Sequence, residues 1–225
     1  MTTRTDEFLR NYRAWAATRP AQERVAGAPL TALAIDGGGV RGLIPALVLA
    51  EIERRTELPI AKCFDTISGT STGGLLALGL TVPGDDGQPR WSAEELVELY
   101  RGAGRTIFKR SPLRLLGSLL FDKYSPAGLE RELRARLGEA TISQALTDVI
   151  ITAWNLSGNH PSYFDSAEAG HIYADRAMWE VARATSAAPS YFAPMWIPPR
   201  DEPEAEAYVD GGVFANNPAR VAYLA

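Results

Sequence analysis

The chain is poor in the residues that most often carry chemistry. Its 225 residues include two histidines, His160 and His171, and one cysteine, Cys63. A single thiol excludes an internal disulfide and fits a reducing compartment. Both histidines lie in polar, loop-like stretches and read as surface residues. No lysine or arginine block offsets the net charge of −4, which argues against nucleic acid as a partner. No apolar run reaches membrane-spanning length. The opening stretch MTTRTDEFLRNYRAWAATRP carries Asp6 and Glu7 and has no apolar h-region, so no signal peptide is expected. The expected location is cytoplasmic, peripheral to a membrane at most.

What is present is enough for a folded core, since 46 % of the residues are apolar and 22 % are charged. Residues 1–28 read as a polar extension with one short helix. Residues 29–225 read as one domain, without internal repeats or a dividing linker. LTALAIDGG, CFDTIS, DVIITAWNL and AYVDGG have the look of buried strands, several of them ending in glycine turns. Between them lie helical stretches. GLIPALVLAEIERRTE has Pro45 in its first turn and Leu43, Leu47 and Ile52 on a common face. TGGLLALGL is full of small residues that permit close packing. Ser92 and Glu95 have capping-box spacing. Leu129, Leu133 and Leu137 recur every fourth residue before Gly138. Pro189 halts DRAMWEVARATSAAP, and Asn217 and Pro218 start a last helix. Strands alternating with helices give an α/β class with a mostly parallel central sheet.

Two glycine-rich turns carry the chemistry. Gly69-Thr70-Ser71-Thr72-Gly73 fits G-x-S-x-G, in which a strand turns sharply into a helix and leaves a serine hydroxyl exposed at the apex. The N-terminus of the following helix favours negative charge developing there. The second turn is Asp36-Gly37-Gly38-Gly39-Val40-Arg41-Gly42. Gly37, Gly39 and Gly42 match the dinucleotide pattern G-x-G-x-x-G. That reading needs an acidic residue at the end of the second strand, and Glu57 instead lies in a polar helix end. The other reading is an oxyanion hole, in which backbone N–H groups, Gly38 and Gly39 first, converge on a developing charge; one such donor is worth about 2.7–4 kcal/mol. Arg41 then locks the loop or meets an anionic head group.

A serine hydrolase of the usual α/β type has a histidine after its acid. Here both histidines precede the best acid candidate, Asp210 in YVDGG, whose two following glycines let the carboxylate approach another turn. DGGGVRG, GTSTGG and DGG together, with ARATSAAPSYFAP and YVDGGVFANNPA, resemble the patatin-like phospholipases from about Leu30 to Ala219. The resemblance implies a three-layer α/β/α sandwich and metal-independent hydrolysis of lipid acyl esters, with no cofactor. It implies that Ser71 is the nucleophile and Asp210 its base. Gly37, Gly38, Gly39, Arg41 and Gly42 become the oxyanion loop, Gly69, Thr70, Thr72 and Gly73 frame the elbow, and Gly211 and Gly212 complete the DGG turn. Such domains usually continue well past this turn, whereas this chain stops 15 residues after Asp210, so a truncated C-terminal end is expected.

An aspartate is a weaker base than histidine by roughly 3.5 kcal/mol, given ordinary pKa values of about 3.9 and 6.5. Burial raises a carboxylate pKa, so an apolar setting is expected around Asp210, supplied in part by Tyr208, Val209 and Phe214. Arg110 to Ser125, RSPLRLLGSLLFDKYS, reads either as a core-facing helix or as an interfacial lid. Two competing functions remain open: a thioesterase or acyltransferase using the same dyad, and a nucleotide-binding module using the glycine loop.

Overall fold

The computed structural model describes Arg10 and residues 30–107, 126–167, 176–198 and 205–224, with the backbone alone for 103–107, Pro126 and Leu224. The expectations for the polar extension, for the stretch from Arg110 to Ser125 and for His171 lie outside the described residues.

The elements alternate as expected. Strand β1 (Ala32–Ile35) leads through a 3-10 turn (Gly39–Gly42) into α1 (Leu43–Thr56), and the short α2 (Ile60–Cys63) precedes β2 (Thr66–Thr70). After β2 come α3 (Thr72–Thr81), α4 (Ala93–Ile107), α5 (Pro126–Leu137), β3 (Asp148–Asn155) and β4 (His160–Asp165). The remainder is α6 (Met178–Thr185), β5 (Met195–Ile197), β6 (Glu206–Asp210), α7 (Gly212–Ala215) and α8 (Ala219–Leu224).

The strands form one mixed sheet in the order β1-β2-β3-β6-β5, with β4 paired to β3 off this path. β1, β2 and β3 are mutually parallel, while β3 meets β4 and β6 antiparallel and β5 is antiparallel to β6. Four strands therefore run one way, and β4 and β6 run against them. The register of β3 decides where the chain ends meet. β4 takes one edge of β3, pairing with Ile150 to Asn155. The other edge is shared end to end: β2 pairs with Asp148 to Thr152, and β6 pairs with Ala153 to Asn155. Because β6 runs against β2, the two strands point their C-terminal ends at each other. Thr70 lies opposite Thr152, and Asp210 lies opposite the next residue, Ala153.

Side chains alternate across a strand, and this alternation on β2 separates the layers. Gly69 faces α3, where a Cβ would lie 2.5 Å from Gly73 O. Ser68 and Thr70 face the other side and donate to Pro218 O at 3.4 Å and Ala215 O at 2.7 Å. Helix α3 thus packs on one face, with α6 beside it, and the α7–α8 segment packs on the other. The result is the three-layer α/β/α arrangement expected from the resemblance. The core between sheet and α3 is made by Ile35, Ile67, Leu76, Leu80, Val149 and Ile151, all buried.

Local chemistry explains most boundaries. Ser92 and Glu95 form the expected capping box: Ser92 N–H donates to Glu95 Oε2 at 2.8 Å, and Glu95 N–H donates to Ser92 Oγ at 3.3 Å. Ala219 N–H donates to Asn217 Oδ1 at 2.9 Å at the start of α8. Glu53 on α1 accepts from Ile60 N–H and Ala93 N–H, so one carboxylate satisfies the openings of α2 and α4; burial pushes its pKa up. Elsewhere the structure differs from the sequence reading. Cys63 ends α2 rather than beginning a strand. Leu47 is 42 % exposed, together with Ile44 and Val48, because α1 buries Ala46 and Leu49 instead. β4 opens with His160 and Pro161, a stretch that reads as loop in sequence; an edge strand tolerates a residue without an N–H.

The end-to-end meeting of β2 and β6 requires Gly211, where a Cβ would fall 2.1 Å from Thr152 Oγ1 and 2.6 Å from Thr152 O. Gly211→Ala is therefore expected to cost about 2 kcal/mol or more, read as a lower urea midpoint with an unchanged slope. A wild-type midpoint would contradict this close approach.

Candidate active site

Ser71 sits between β2 and α3 with φ 55° and ψ −124°. A positive φ strains a residue with a Cβ, and the surroundings hold it there. Ser71 N–H donates to Thr185 Oγ1 at 2.8 Å. Leu75 N–H donates to Ser71 O at 3.0 Å and opens α3. Tyr100 Oη of α4 donates to Thr72 O at 3.2 Å. Below the turn, the single hydroxyl hydrogen of Thr70 is committed to Ala215 O, so the 2.7 Å contact with Thr152 Oγ1 is a bond that Thr152 donates. These bonds fasten the turn to four separate elements. Glycine is required at position 73, where a Cβ would lie 2.0 Å from Ile35 O.

Asp210 ends β6 and is 6 % exposed. Its carboxylate accepts Gly212 N–H at 2.7 Å and lines the same cavity as Ser71. Its own N–H donates to Ala187 O at 3.1 Å. Burial pushes the Asp210 pKa above the ordinary carboxylate value, and the nearby Ser71 hydroxyl and Gly212 N–H offset only part of this. Tyr208 and Val209 are buried beside it. Phe214, expected there too, instead packs on Trp154 and Tyr163, with ring centroids 5.7 and 6.0 Å away.

The glycine loop is pinned to both turns. Gly37 N–H donates to Asn216 O at 3.0 Å, and Gly38 N–H donates to Thr72 Oγ1 at 3.1 Å. Arg41 N–H donates to Gly38 O at 3.1 Å, closing the 3-10 turn. Among the described residues the N–H groups of Gly39 and Val40, at the start of that turn, donate to no protein acceptor. Gly39 has φ +57°, and Gly42 is packed under Thr72 and Tyr100. The sequence singled out Gly38 and Gly39 as donors; Gly38 is committed to the elbow and Gly39 is open. Glu57, the acidic residue weighed for a ribose, caps the C-terminus of α1 at φ 57°.

These groups share one cavity of about 950 Å³. Ser71, Asp210, Gly212, Asn216 and the Gly38–Arg41 loop are among its lining. Its walls are chiefly apolar, with Leu75, Leu96, Leu129, Leu133 and Phe192 from α3, α4, α5 and the segment after α6. A large apolar cleft with a few convergent polar groups is the ordinary form of a small-molecule site. His160 opens β4 as an exposed residue whose ring Nδ1 lies 2.9 Å from Pro161 O, and it does not line the cavity. Among the described residues no cluster of three or more His, Cys, Asp or Glu side chains is placed to hold a metal, and no helix is long and apolar enough to cross a membrane.

Sequence reasoning missed three supports: Thr185, Thr152 and Asn216. Thr185 and Asn216 fall in stretches that carried the family resemblance, ARATSAAPSYFAP and YVDGGVFANNPA. A buried threonine at a helix end and an asparagine before Asn217 gave no separate signal of which backbone group each would meet.

The family model for the patatin-like phospholipases matches residues 33–223. Patatin-like protein 2 of Arabidopsis thaliana is 37 % identical over 219 residues, covering 90 % of this chain and 54 % of that protein. Patatin-17 of Solanum cardiophyllum is 37 % identical over 179 residues, covering 76 % of this chain and 45 % of its own length. The chain thus spans about half the length of these relatives. Among solved structures, VipD from Legionella pneumophila is similar at 15 % identity and a TM-score of 0.40, over 89 % of this chain and 52 % of VipD.

The raised pKa of Asp210 has a consequence for stability. The folded state binds this proton more tightly than the unfolded chain, so the wild type loses stability as pH rises through the folded pKa. Asp210→Asn removes that loss. The variant is expected to unfold at higher urea than wild type at pH 7.5, with the gain vanishing near pH 4, about the ordinary carboxylate value. A variant less stable than wild type at neutral pH would show that the charge is compensated within the fold.

Proposed function

The chain belongs to the patatin-like phospholipase family, and from that premise we propose that it is a lipid acyl hydrolase working through Ser71 and Asp210. The observation that carries the reading is the meeting of the β2 and β6 strand ends, which brings Ser71 and the buried Asp210 carboxylate into the lining of one apolar cavity. A serine alone is a poor nucleophile near neutral pH and needs an adjacent base. Asp210 is the titratable group placed to serve, and burial brings its pKa toward the working range.

The proposed cycle has two halves. Ser71 Oγ attacks the acyl carbonyl as Asp210 takes its proton. The N–H groups of Gly39 and Val40 meet the oxyanion, while Gly38 holds the loop to the elbow through Thr72. The tetrahedral intermediate collapses, the alkoxide leaves, and it recovers the proton from Asp210. Water then attacks the acyl-serine, again giving its proton to Asp210, and the fatty acid departs as Ser71 is restored. Alkoxides need less protonation than amines, which supports esters over peptides as substrates. Every proton moves through Asp210 or water, so the cycle calls on no metal.

A lipid surface is the proposed source of substrate. Val40 is 60 % exposed at the cavity, and Ile44, Leu47 and Val48 continue the apolar ridge along α1. Arg41 beside them supplies a positive charge at the cavity for an anionic head group. Together these favour peripheral contact with a membrane, in line with the cytoplasmic location expected from the sequence.

Release of fatty acid from phospholipid in mixed micelles tests the cycle. Ser71→Ala is expected to abolish turnover, and Asp210→Asn to reduce it by roughly 10³-fold or more; wild-type turnover in either variant would refute the assignment. Since only ionised Asp210 accepts the proton, kcat/KM is expected to fall as pH drops through a single ionisation lying above the ordinary carboxylate value of about 3.9. EDTA is expected to leave the rate unchanged.

A further inference from the structure

A second groove, of about 530 Å³, lies against the cavity that holds Ser71. Trp154, Leu156, Pro194 and Val209 form its own walls. Pro189, Phe192 and Val213 line both spaces, so the two are neighbours that share one wall. None of the groove's lining residues carries an ionisable side chain.

The partition is held with care. Ser190, in its middle, has φ 65°, a strained value for a residue with a Cβ. Tyr191 N–H and Phe192 N–H both donate to Ala188 O at 3.0 Å. The buried Arg183 of α6 donates from Nη2 to Ala193 O at 2.7 Å, lies 5.7 Å from the Phe192 ring centre, and pairs with Glu130 of α5 at 3.3 Å. On the other side, Val213 follows Asp210 by three residues. The wall therefore stands next to the reacting groups and is tied to them by the chain itself.

We propose that this groove holds the second, uncleaved acyl chain of a diacyl glycerolipid while the larger cavity holds the chain being released. The inference rests on the acyl-hydrolase reading above and names its substrate class. A diacyl lipid carries two chains on adjacent carbons, and an apolar wall shared by the groove and the cavity of the reacting serine is a shape that separates them. Both volumes lie within the usual range of ligand pockets, roughly 300–1,000 Å³. Binding the non-reacting chain contributes to kcat/KM at the cleaved ester, so a diacyl lipid is the better substrate and its monoacyl product the poorer one.

The test compares kcat/KM for a diacyl and a monoacyl phosphatidylcholine in the same detergent micelles, using the full chain and its Leu156→Glu and Leu156→Met variants. Leu156 is 47 % exposed and lines only the second groove, and Leu156→Met guards against a loss due to folding. The wild type is expected to favour the diacyl lipid, Leu156→Glu to lower the diacyl-to-monoacyl ratio about tenfold, and Leu156→Met to restore it. An unchanged ratio in Leu156→Glu overturns the proposal, and if vesicle binding weakens at the same time the groove belongs to the bilayer contact instead. A wild type that cleaves neither lipid and leaves Ser71 unlabelled by a fluorophosphonate overturns the acyl-hydrolase reading and this inference together.

Discussion

Two strands sharing one edge of β3 make the rest of the site possible. β2 runs parallel to β3 and stops opposite Thr152, and β6 runs antiparallel and stops opposite Ala153. Each therefore delivers its last residue to the same place from opposite directions. Ser71 follows one strand end and Asp210 is the other. No flexible loop has to fold over to bring acid and hydroxyl together. Their separation is set by hydrogen-bonded backbone, the stiffest positioning a protein has for a reacting pair. Thr70 and Thr152, bonded to each other beneath the meeting point, and Gly211, pressed against Thr152, are the local terms that let the two ends come this close.

In the proposed cycle the same arrangement lets an aspartate serve without a histidine. The antiparallel entry of β6 buries the carboxylate between β3 and the segment after α6, where Ala187 O accepts its N–H. Burial disfavours its charge. What the fold loses in stability by holding that charge is what makes the carboxylate more willing to take a proton. In that proposed cycle the apolar cavity leaves few solvent partners for the oxyanion, which raises the value of the open N–H groups at Gly39 and Val40.

Much of this was legible in the sequence because it rests on local rules. Gly69 and Gly73 around Ser71 announce a turn that tolerates no Cβ, and the capping box at Ser92 and Glu95 marks where α4 starts. The order of strand, glycine turn and helix announced the parallel part of the sheet. The antiparallel part was not legible. β5 has three residues, too few to show alternation, and β4 begins with His160 and Pro161. The direction of β6 depends on a register with β3 that involves residues more than fifty positions away. For the same reason Thr185, Thr152 and Asn216 were invisible as supports: Thr185 and Asn216 meet the N–H groups of Ser71 and Gly37, and Thr152 meets the Thr70 hydroxyl, all distant in sequence. The division of labour in the glycine loop, with Gly38 committed to Thr72 and Gly39 left open, also needed coordinates.

The most direct measurement is an experimental structure of the protein after reaction with a long-chain alkyl fluorophosphonate. The account predicts a covalent bond from Ser71 Oγ to phosphorus, with an Asp210 carboxylate oxygen within hydrogen-bond reach of that Oγ. The phosphoryl oxygen should sit against the N–H groups of Gly39 and Val40, with the alkyl chain in the large cavity. An adduct on another residue, or Asp210 lying beyond hydrogen-bond reach of the modified serine, would contradict it.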